Sequence, residues 1–247
     1  MVAVVFVLGL FVGSFFNVLI HRLPREESIV RPPSHCPRCQ HRLGPGELIP
    51  LFSYLYLAGK CRYCGEPVSP TYPLVEAATG LIFAGTFLFY GPTSHFVAAL
   101  VFFSLLFLSA RIDIEHKIIP DQLTLPGIIA GLVFALILPG ITLGQSLLGL
   151  LFLGGLLLAV AMVSRGGMGG GDIKLGAAMG AFLGLPQALL ALIMASVLGS
   201  LVGGTLILLR FMSRKEAFPF GPFLALGGAI SFIWGQQIIA WYLQLWM

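Results

Sequence analysis

The sequence predicts an all-α polytopic membrane protein with about eight transmembrane helices and a small four-cysteine domain between helices 1 and 2. Composition is the first observation: the 247 residues are 57% hydrophobic and 10% charged, whereas soluble domains carry about 25% charged residues. The second is that apolar runs of helix length recur along the chain. These features exclude a water-soluble globule and a disordered chain. The net charge of +4 is better explained by a basic membrane face than by nucleic-acid binding.

Apolar runs locate the individual crossings, each of which needs about 20 residues. The eight runs lie at residues 2–20, 72–89, 95–112, 123–138, 143–163, 175–185, 188–209 and 220–242. The sixth run is short and begins in a glycine-rich stretch, so seven crossings are the alternative count. The first run has no basic residues before it and no small-residue cleavage site, so we interpret it as a membrane helix rather than a typical secretory signal.

The positions of Lys and Arg predict the orientation. Arg22 and Arg25 follow the first run at once, which places the N-terminus outside and the next segment in the cytoplasm. With eight crossings, all 14 Lys and Arg residues fall on the cytoplasmic side, including Arg165, Arg214 and Lys215. The acidic residues lie on that face too. Carboxylate chemistry is therefore expected at, or just inside, the cytoplasmic boundary of the membrane.

The polar segment 21–71 contains all four cysteines as two pairs, Cys36-x2-Cys39 and Cys61-x2-Cys64, 21 residues apart. Two such pairs typically form a closed, tetrahedral four-thiolate zinc site with a structural role. Two disulfides are the alternative, and the cytoplasm disfavours them. A segment of this size buries little core, so zinc would supply folding free energy. The apolar run 48–57 packs on this domain or lies on the membrane interface. We detect no internal repeat.

Five acids lie within or beside predicted crossings and are candidate functional residues: Glu76, Asp113, Glu115, Asp121 and Asp172. Asp113 ends the third crossing, and Asp172 follows a run of glycines before the sixth. We expect these two to meet, because both crossings end on the same face. Two close carboxylates do not both ionise easily, so they share a proton and can hold a water between them. One then acts as a general base and the other protonates a carbonyl oxygen, which is aspartyl proteolysis.

Three structural readings of the same acids stay open. Asp113 and Lys117 are spaced for a helical salt bridge. Asp121 follows Pro120 and suits the N-cap of the fourth crossing. The glycines before Asp172 fit a flexible hinge followed by a capping aspartate. Under the catalytic reading the domains are a first transmembrane helix at 1–20, a zinc-binding domain at 21–71 and a membrane-embedded aspartyl peptidase domain at 72–247.

Several motifs, distributed along nearly the whole chain, resemble those of a known protein family. They are Gly13-Ser-Phe-Phe-Asn-Val18 with Arg22-Leu-Pro24, the two cysteine pairs, Ile49-Pro-Leu-Phe-Ser53, Tyr72-Pro-Leu-Val-Glu76, Asp113 with Ile119-Pro-Asp121, Gly169-x-Gly171-Asp172-x-Lys174-Leu175, and Phe218-Pro-Phe-Gly-Pro-Phe223. Together they resemble the bacterial type IV prepilin peptidase family, also called leader peptidase / N-methyltransferase, whose members are membrane aspartyl proteases with a G-x-G-D motif.

The resemblance implies an enzyme that cleaves the basic leader of type IV prepilins and type II secretion pseudopilins after a glycine. Asp113 and Asp172 would be its catalytic pair, and S-adenosylmethionine would donate a methyl group to the new N-terminal residue. Leu48 stands where many members have Asn, so a peptidase without methyltransferase activity is the second reading. A membrane transporter or scaffold with a zinc docking module is the third.

Overall fold

The computed structural model describes residues 1–164, 167–213 and 218–245. Arg165, Arg214 and Lys215, which entered the predictions above, lie outside these ranges. Eight α-helices account for most of the described residues: α1 Val2–Arg22, α2 Phe52–Tyr56, α3 Thr71–Tyr90, α4 Ser94–His116, α5 Asp121–Ile137, α6 Leu143–Val163, α7 Gly170–Leu208 and α8 Gly221–Gln244. Two short 3₁₀ helices, Leu23–Arg25 and Pro45–Leu48, lie between α1 and α2.

Six of the described helices are long and apolar enough to cross a membrane: α1, α3, α4, α6, α7 and α8. Helix α5 is a shorter apolar helix of 17 residues. Helix α7 is interrupted at Gly184, whose φ of 70° and ψ of 173° are not helical. Counting its two parts separately gives eight apolar segments in the described chain, in the order of the eight predicted runs. The all-α polytopic fold class is therefore confirmed.

The clearest difference from prediction concerns the glycine-rich stretch before the sixth segment. The apolar run predicted a helix over 175–185, whereas α7 begins at Gly170. Hydropathy misses this first turn because glycine, aspartate and lysine are not apolar. The turn is nevertheless helical: Gly169 is the N-cap and Asp172 is the third helical residue, so Asp172 is not the capping residue that the hinge interpretation assumed.

The chain divides into two compact units, residues Met1–Leu100 and Val101–Met247. In the first unit, α1 and α3 run antiparallel and approach closely at glycines. A Cβ on Gly9 would lie 2.8 Å from the Cα of Gly80, and one on Gly13 would lie 2.7 Å from the Cα of Glu76. Small residues allow such close approach of membrane helices. The second unit has a buried core that includes Phe102, Leu153 and Leu224.

The cysteine-containing segment has an internal repeat, so the prediction of none was wrong. Each cysteine pair lies on a knuckle of ten residues, 34–43 and 59–68, with the same backbone hydrogen bonds. Leu43 N–H donates to Ser34 O at 2.9 Å, and Val68 N–H donates to Gly59 O at 2.7 Å. Sequence comparison misses the repeat because the ten aligned positions share only the two cysteines. The repeat resides in the backbone.

Candidate active site and metal centre

The end of α4 buries one of the two predicted catalytic acids. Asp113 is 5% exposed, and its Oδ2 accepts a hydrogen bond of 2.9 Å from the backbone N–H of Gly221. Gly221 is the first residue of α8, where helical N–H groups have no partner inside the helix. The carboxylate of Asp113 is therefore oriented by the N-terminus of a helix that begins 108 residues later in the chain.

The second predicted acid, Asp172, lies in the first turn of α7. Its N–H donates to Gly169 O at 3.1 Å, and its side chain is close enough to Asp113 for a direct electrostatic interaction. Within the part of the chain that the structure describes, Asp172 Oδ1 is buried without a hydrogen-bond partner. The structure thus brings the two acids together and leaves a carboxylate oxygen between helix ends that can accept a hydrogen bond from water or substrate.

Two glycines and one isoleucine set the spacing around these acids. A Cβ on Gly171 would lie 2.8 Å from the Cβ of Ile119, and one on Gly221 would lie 2.8 Å from Asp113 Oδ2 and 3.1 Å from the Cδ1 of Ile119. Ile119 is buried in the segment between α4 and α5. A side chain larger than hydrogen would push α8 away from Asp113 at Gly221 and would push α7 away from Ile119 at Gly171, so both close approaches require glycine.

The other acids near the site are held in exposed ion pairs. Lys174 Nζ lies 2.6 Å from both carboxylate oxygens of Asp121, and Arg111 pairs with Glu115. Pro120 is the N-cap of α5, with extended backbone angles, and Asp121 is the first helical residue. The N-cap prediction for Asp121 was therefore wrong by one position, because Pro120 already supplies the extended residue that ends the preceding segment.

A backbone hydrogen bond joins Asp113 and Lys117 in place of the predicted helical salt bridge between their side chains. Lys117 N–H donates to the main-chain carbonyl of Asp113 at 2.9 Å, while the Asp113 side chain is bound to Gly221. Lys117 has a φ of 55° and follows α4 directly, so it marks the end of that helix. The sequence reasoning missed the roles of Gly221 and Ile119, although both lie in motifs that it singled out.

Glu76 is buried in the first unit, near the start of α3. Its Oε2 accepts a hydrogen bond of 2.8 Å from the N–H of Leu51, and Ser14 of α1 hydrogen-bonds the same carboxylate. Leu51 has a φ of 60°, which is rare for a side chain of this kind. Glu76 therefore joins α1, α3 and the cysteine-containing segment, which gives this candidate functional acid a structural role.

The four cysteines form a metal-binding cluster. Their Sγ atoms all lie within 4.8 Å of one another, with Cys36 to Cys64 at 3.9 Å and Cys39 to Cys61 at 4.0 Å. A tetrahedral site with Zn–S bonds of about 2.3 Å requires sulfur–sulfur distances of about 3.8 Å. All four thiols are free, which contradicts the disulfide alternative. The donor set and its spacing fit zinc.

The knuckles themselves assist metal binding. Backbone N–H groups of Cys64 and Tyr63 hydrogen-bond the Cys61 sulfur and lower the pKa of this thiol to about 7. Zinc binds the thiolate form, which the lowered pKa of Cys61 favours, whereas burial and the neighbouring thiols raise the pKa of Cys64 to about 12, so metal binding has to release a proton there. The two knuckles also contact each other, because the rings of His41 and Tyr63 lie 3.5 Å apart. The flanking histidine thus packs beside the cluster.

Comparisons with known proteins agree with this geometry. The family model "Bacterial Peptidase A24 N-terminal domain" matches residues 7–90, and the model "Type IV leader peptidase family" matches residues 100–204. Several curated proteins named "Prepilin leader peptidase/N-methyltransferase" are similar to the chain. The Aeromonas hydrophila protein is 38% identical, over 98% of this chain and 93% of its own.

The corresponding Bacillus subtilis protein is 36% identical over 99% of both chains. The Myxococcus xanthus protein is 44% identical over 82% of this chain and 62% of its own. No solved structure matches. With two family models that follow one another along the chain and relatives above 30% identity over nearly its full length, the chain belongs to the type IV leader peptidase family.

Proposed function

We propose that this protein is an aspartic endopeptidase of the bacterial inner membrane that removes the basic leader of type IV prepilins and type II secretion pseudopilins after a glycine. One observation carries the proposal: Asp113 and Asp172, which are 59 positions apart in the sequence, lie together at the ends of two apolar helices. The names of the relatives support the substrate class, since each is called a prepilin leader peptidase.

In the proposed mechanism the two carboxyl groups activate a water molecule directly. The ionised carboxylate removes a proton from a water molecule, and the water oxygen attacks the carbonyl carbon of the glycine that ends the leader. The protonated carboxyl gives its proton to the carbonyl oxygen, forming a tetrahedral diol. The diol then collapses: one hydroxyl gives its proton to the ionised carboxylate, the other carboxyl gives its proton to the amine nitrogen, the C–N bond breaks, and the leader leaves as a carboxylic acid while the pair keeps one shared proton. The hydrogen bond from Gly221 orients Asp113 throughout.

The sidedness of the proposed enzyme follows from charge. The basic residues that border the apolar helices place the N-terminus outside and the active site at the cytoplasmic face. The substrate's apolar helix then lies in the bilayer and its basic leader in the cytoplasm. In functional terms the chain comprises a first transmembrane helix at 1–20, a cytoplasmic zinc-binding domain at 21–71 and the membrane-embedded peptidase domain at 72–247. We propose no nucleic-acid partner.

The zinc ion has a structural role in this proposal. Cys36, Cys39, Cys61 and Cys64 complete a four-thiolate set, which leaves no open position for substrate or water. When bound, the metal supplies folding free energy to a segment with few buried apolar residues. Catalysis is assigned to the two aspartates, which belong to the other compact unit of the chain.

The second proposed activity is methylation of the new N-terminus. The relatives' names include N-methyltransferase, and S-adenosylmethionine is the proposed donor. The free amine attacks the methyl carbon of the sulfonium, the S–CH₃ bond breaks, S-adenosylhomocysteine leaves and the amine loses a proton. A peptidase without this step remains the alternative.

The decisive experiment uses the full chain in lipid nanodiscs with a prepilin, with and without S-adenosylmethionine. The mass of the product N-terminus reports cleavage and methylation separately. Asp113→Asn and Asp172→Asn should each abolish cleavage, and the double variant should be no worse than either single variant, because the pair acts as a unit. Asp121→Asn and Glu115→Gln are the matched controls and should retain cleavage.

Normal cleavage by either catalytic Asn variant would refute the assignment. Loss of cleavage only in Asp121→Asn or Glu115→Gln would transfer the catalytic role to that residue. A wild-type protein that does not cleave any prepilin but binds one would favour the scaffold reading. Cleavage without any 14-Da methyl addition (the mass of one CH₂ group) would support the peptidase-only reading.

A further inference from the structure

An apolar surface of the first unit is left uncovered beside the cysteine-containing segment. It belongs to residues 48–57, which we name the anchor segment, and consists of Leu48, Ile49, Phe52, Leu55 and Tyr56. Their exposed fractions range from 40% to 79%. Phe52 and Tyr56 lie one helical turn apart on α2, with stacked rings 6.1 Å apart. Contiguous exposed apolar surface of this kind marks a contact with a membrane or a protein.

One hydrogen bond fixes the depth of the anchor segment along helix α3. Leu51 N–H is bound to Glu76 Oε2 at 2.8 Å, and Glu76 is the sixth residue of α3, which begins at Thr71. At a rise of 1.5 Å per residue, Glu76 lies about 7.5 Å along the helix from its first residue. Helix α3 has 20 residues, which is about the length that spans the hydrocarbon core. The anchor segment is therefore tied to a point inside the membrane boundary.

The composition of the anchor segment matches that depth. Helices that lie in the membrane interface insert by roughly 5–10 Å and present aromatic and aliphatic residues to the acyl chains. The anchor segment has no charged residue, whereas Glu47 precedes it and Lys60 and Arg62 follow it closely. Phe52, Tyr54 and Tyr56 supply the aromatic side chains that favour the interface. Water alone would leave this surface unfavourably hydrated.

We infer that the anchor segment inserts into the lipid interface through Leu48, Ile49, Phe52, Leu55 and Tyr56 and thereby holds the zinc knuckles against the membrane surface. The second knuckle is joined to it directly: Gly59 N–H donates to Tyr54 O at 2.8 Å. The partner is the bilayer itself. This inference does not depend on the proposed peptidase activity, because it rests on contacts within residues 1–100.

The test places a single tryptophan on the anchor segment of the full-length protein. Trp234, Trp241 and Trp246, the three native tryptophans, are first replaced by phenylalanine. Phe52→Trp and Leu55→Trp are then made separately in that background, so that failure of one to fold leaves the other. Val30→Trp, at a side chain that is 75% exposed in the stretch before the first knuckle, is the matched control outside the anchor segment. Each variant is reconstituted in phosphatidylethanolamine/phosphatidylglycerol nanodiscs with ordinary or acyl-chain-brominated lipid.

Bromine quenches tryptophan only on contact, so insertion predicts that both anchor probes lose most of their emission in brominated lipid and emit at shorter wavelength. The loss should be larger for bromines near the headgroup than for bromines near the bilayer centre, and the Val30→Trp control should be quenched much less than either anchor probe. Anchor probes with water-like emission and no quenching would overturn the inference. Probes that become shielded only when a prepilin is added would show that this surface binds substrate instead of lipid.

Discussion

Alanine at Gly221 is the sharpest perturbation of the proposed catalytic pair, because it changes neither acid. A Cβ at this position would lie 2.8 Å from Asp113 Oδ2, whereas ordinary van der Waals contact begins at 3.4 Å. The carboxylate would therefore have to retreat by about 0.6 Å. The same Cβ would meet the Cδ1 of Ile119 at 3.1 Å, so the isoleucine resists the displacement on the adjacent side.

The size of the effect follows from the displacement. A misplacement of about 1 Å near the reacting atoms can cost about 100-fold in rate, so about 0.6 Å predicts a loss of roughly 10- to 20-fold in kcat. The affinity for substrate should change little, because the added methyl group displaces the catalytic carboxylate of Asp113 and is not expected to touch the substrate. Global stability should not fall far, because alanine favours a helix over glycine by roughly 0.5–1 kcal/mol, which offsets part of the local strain.

The assay is steady-state cleavage of a prepilin by the nanodisc-embedded protein, with kcat and KM determined separately. Gly170→Ala is the matched control: Gly170 is the first residue of α7, as Gly221 is of α8, but a Cβ there meets no atom within 4 Å. The control should cleave normally. Equal activity of Gly221→Ala and Gly170→Ala would refute the view that the spacing between α8 and Asp113 sets the geometry of the pair.

Three further predictions concern the surrounding residues. Cys61→Ser should lower the zinc content below one ion per chain and expose backbone amides of the knuckles to hydrogen exchange, measured by elemental analysis and mass spectrometry; unchanged zinc would refute the four-thiolate site. Glu76→Gln should retain cleavage, because the amide oxygen can still accept from Leu51, whereas Glu76→Leu should lower stability by about 1–3 kcal/mol through an unpaired N–H, seen as a lower Tm. Lys174→Met should reduce cleavage only by a small factor, because an exposed ion pair contributes about 0–1 kcal/mol. A complete loss that Lys174→Arg does not restore would give Lys174 a direct role in the reaction.

The sequence was sufficient for features that depend on local pattern. Apolar runs gave the eight helical segments, and the spacing of Cys36, Cys39, Cys61 and Cys64 gave a cluster whose sulfur atoms do converge. The motif positions of Asp113 and Asp172 led to a pair that the fold brings together. The helices and the cysteine cluster could be predicted because hydropathy and short ligand spacings are properties of contiguous residues, whereas the pairing of Asp113 with Asp172 was inferred from motifs and its catalytic role stays a prediction.

The features that the sequence did not reveal depend on contacts between distant residues. The hydrogen bond from Gly221 to Asp113 joins positions 108 apart, and the bond from Leu51 to Glu76 joins positions 25 apart. No periodicity encodes such pairs. The helical start of α7 at Gly170 was missed for a different reason: the glycines and the aspartate at its start are not apolar, and glycine has a low intrinsic helix propensity, so neither hydropathy nor propensity marks a helix there.

The glycines that bring helix backbones together have a consequence for how mutational tolerance is interpreted in this protein. A Cβ on Gly180 would overlap the carbonyl oxygen of Gly149, and one on Gly227 would overlap the carbonyl oxygen of Ala191. In a deep mutational scan that scores function alone, substitutions at these glycines would therefore be as damaging as substitutions at Asp113 or Asp172. Protein abundance separates the two classes, because side chains at the glycines remove the folded protein from the membrane while an aspartate-to-asparagine change leaves it there.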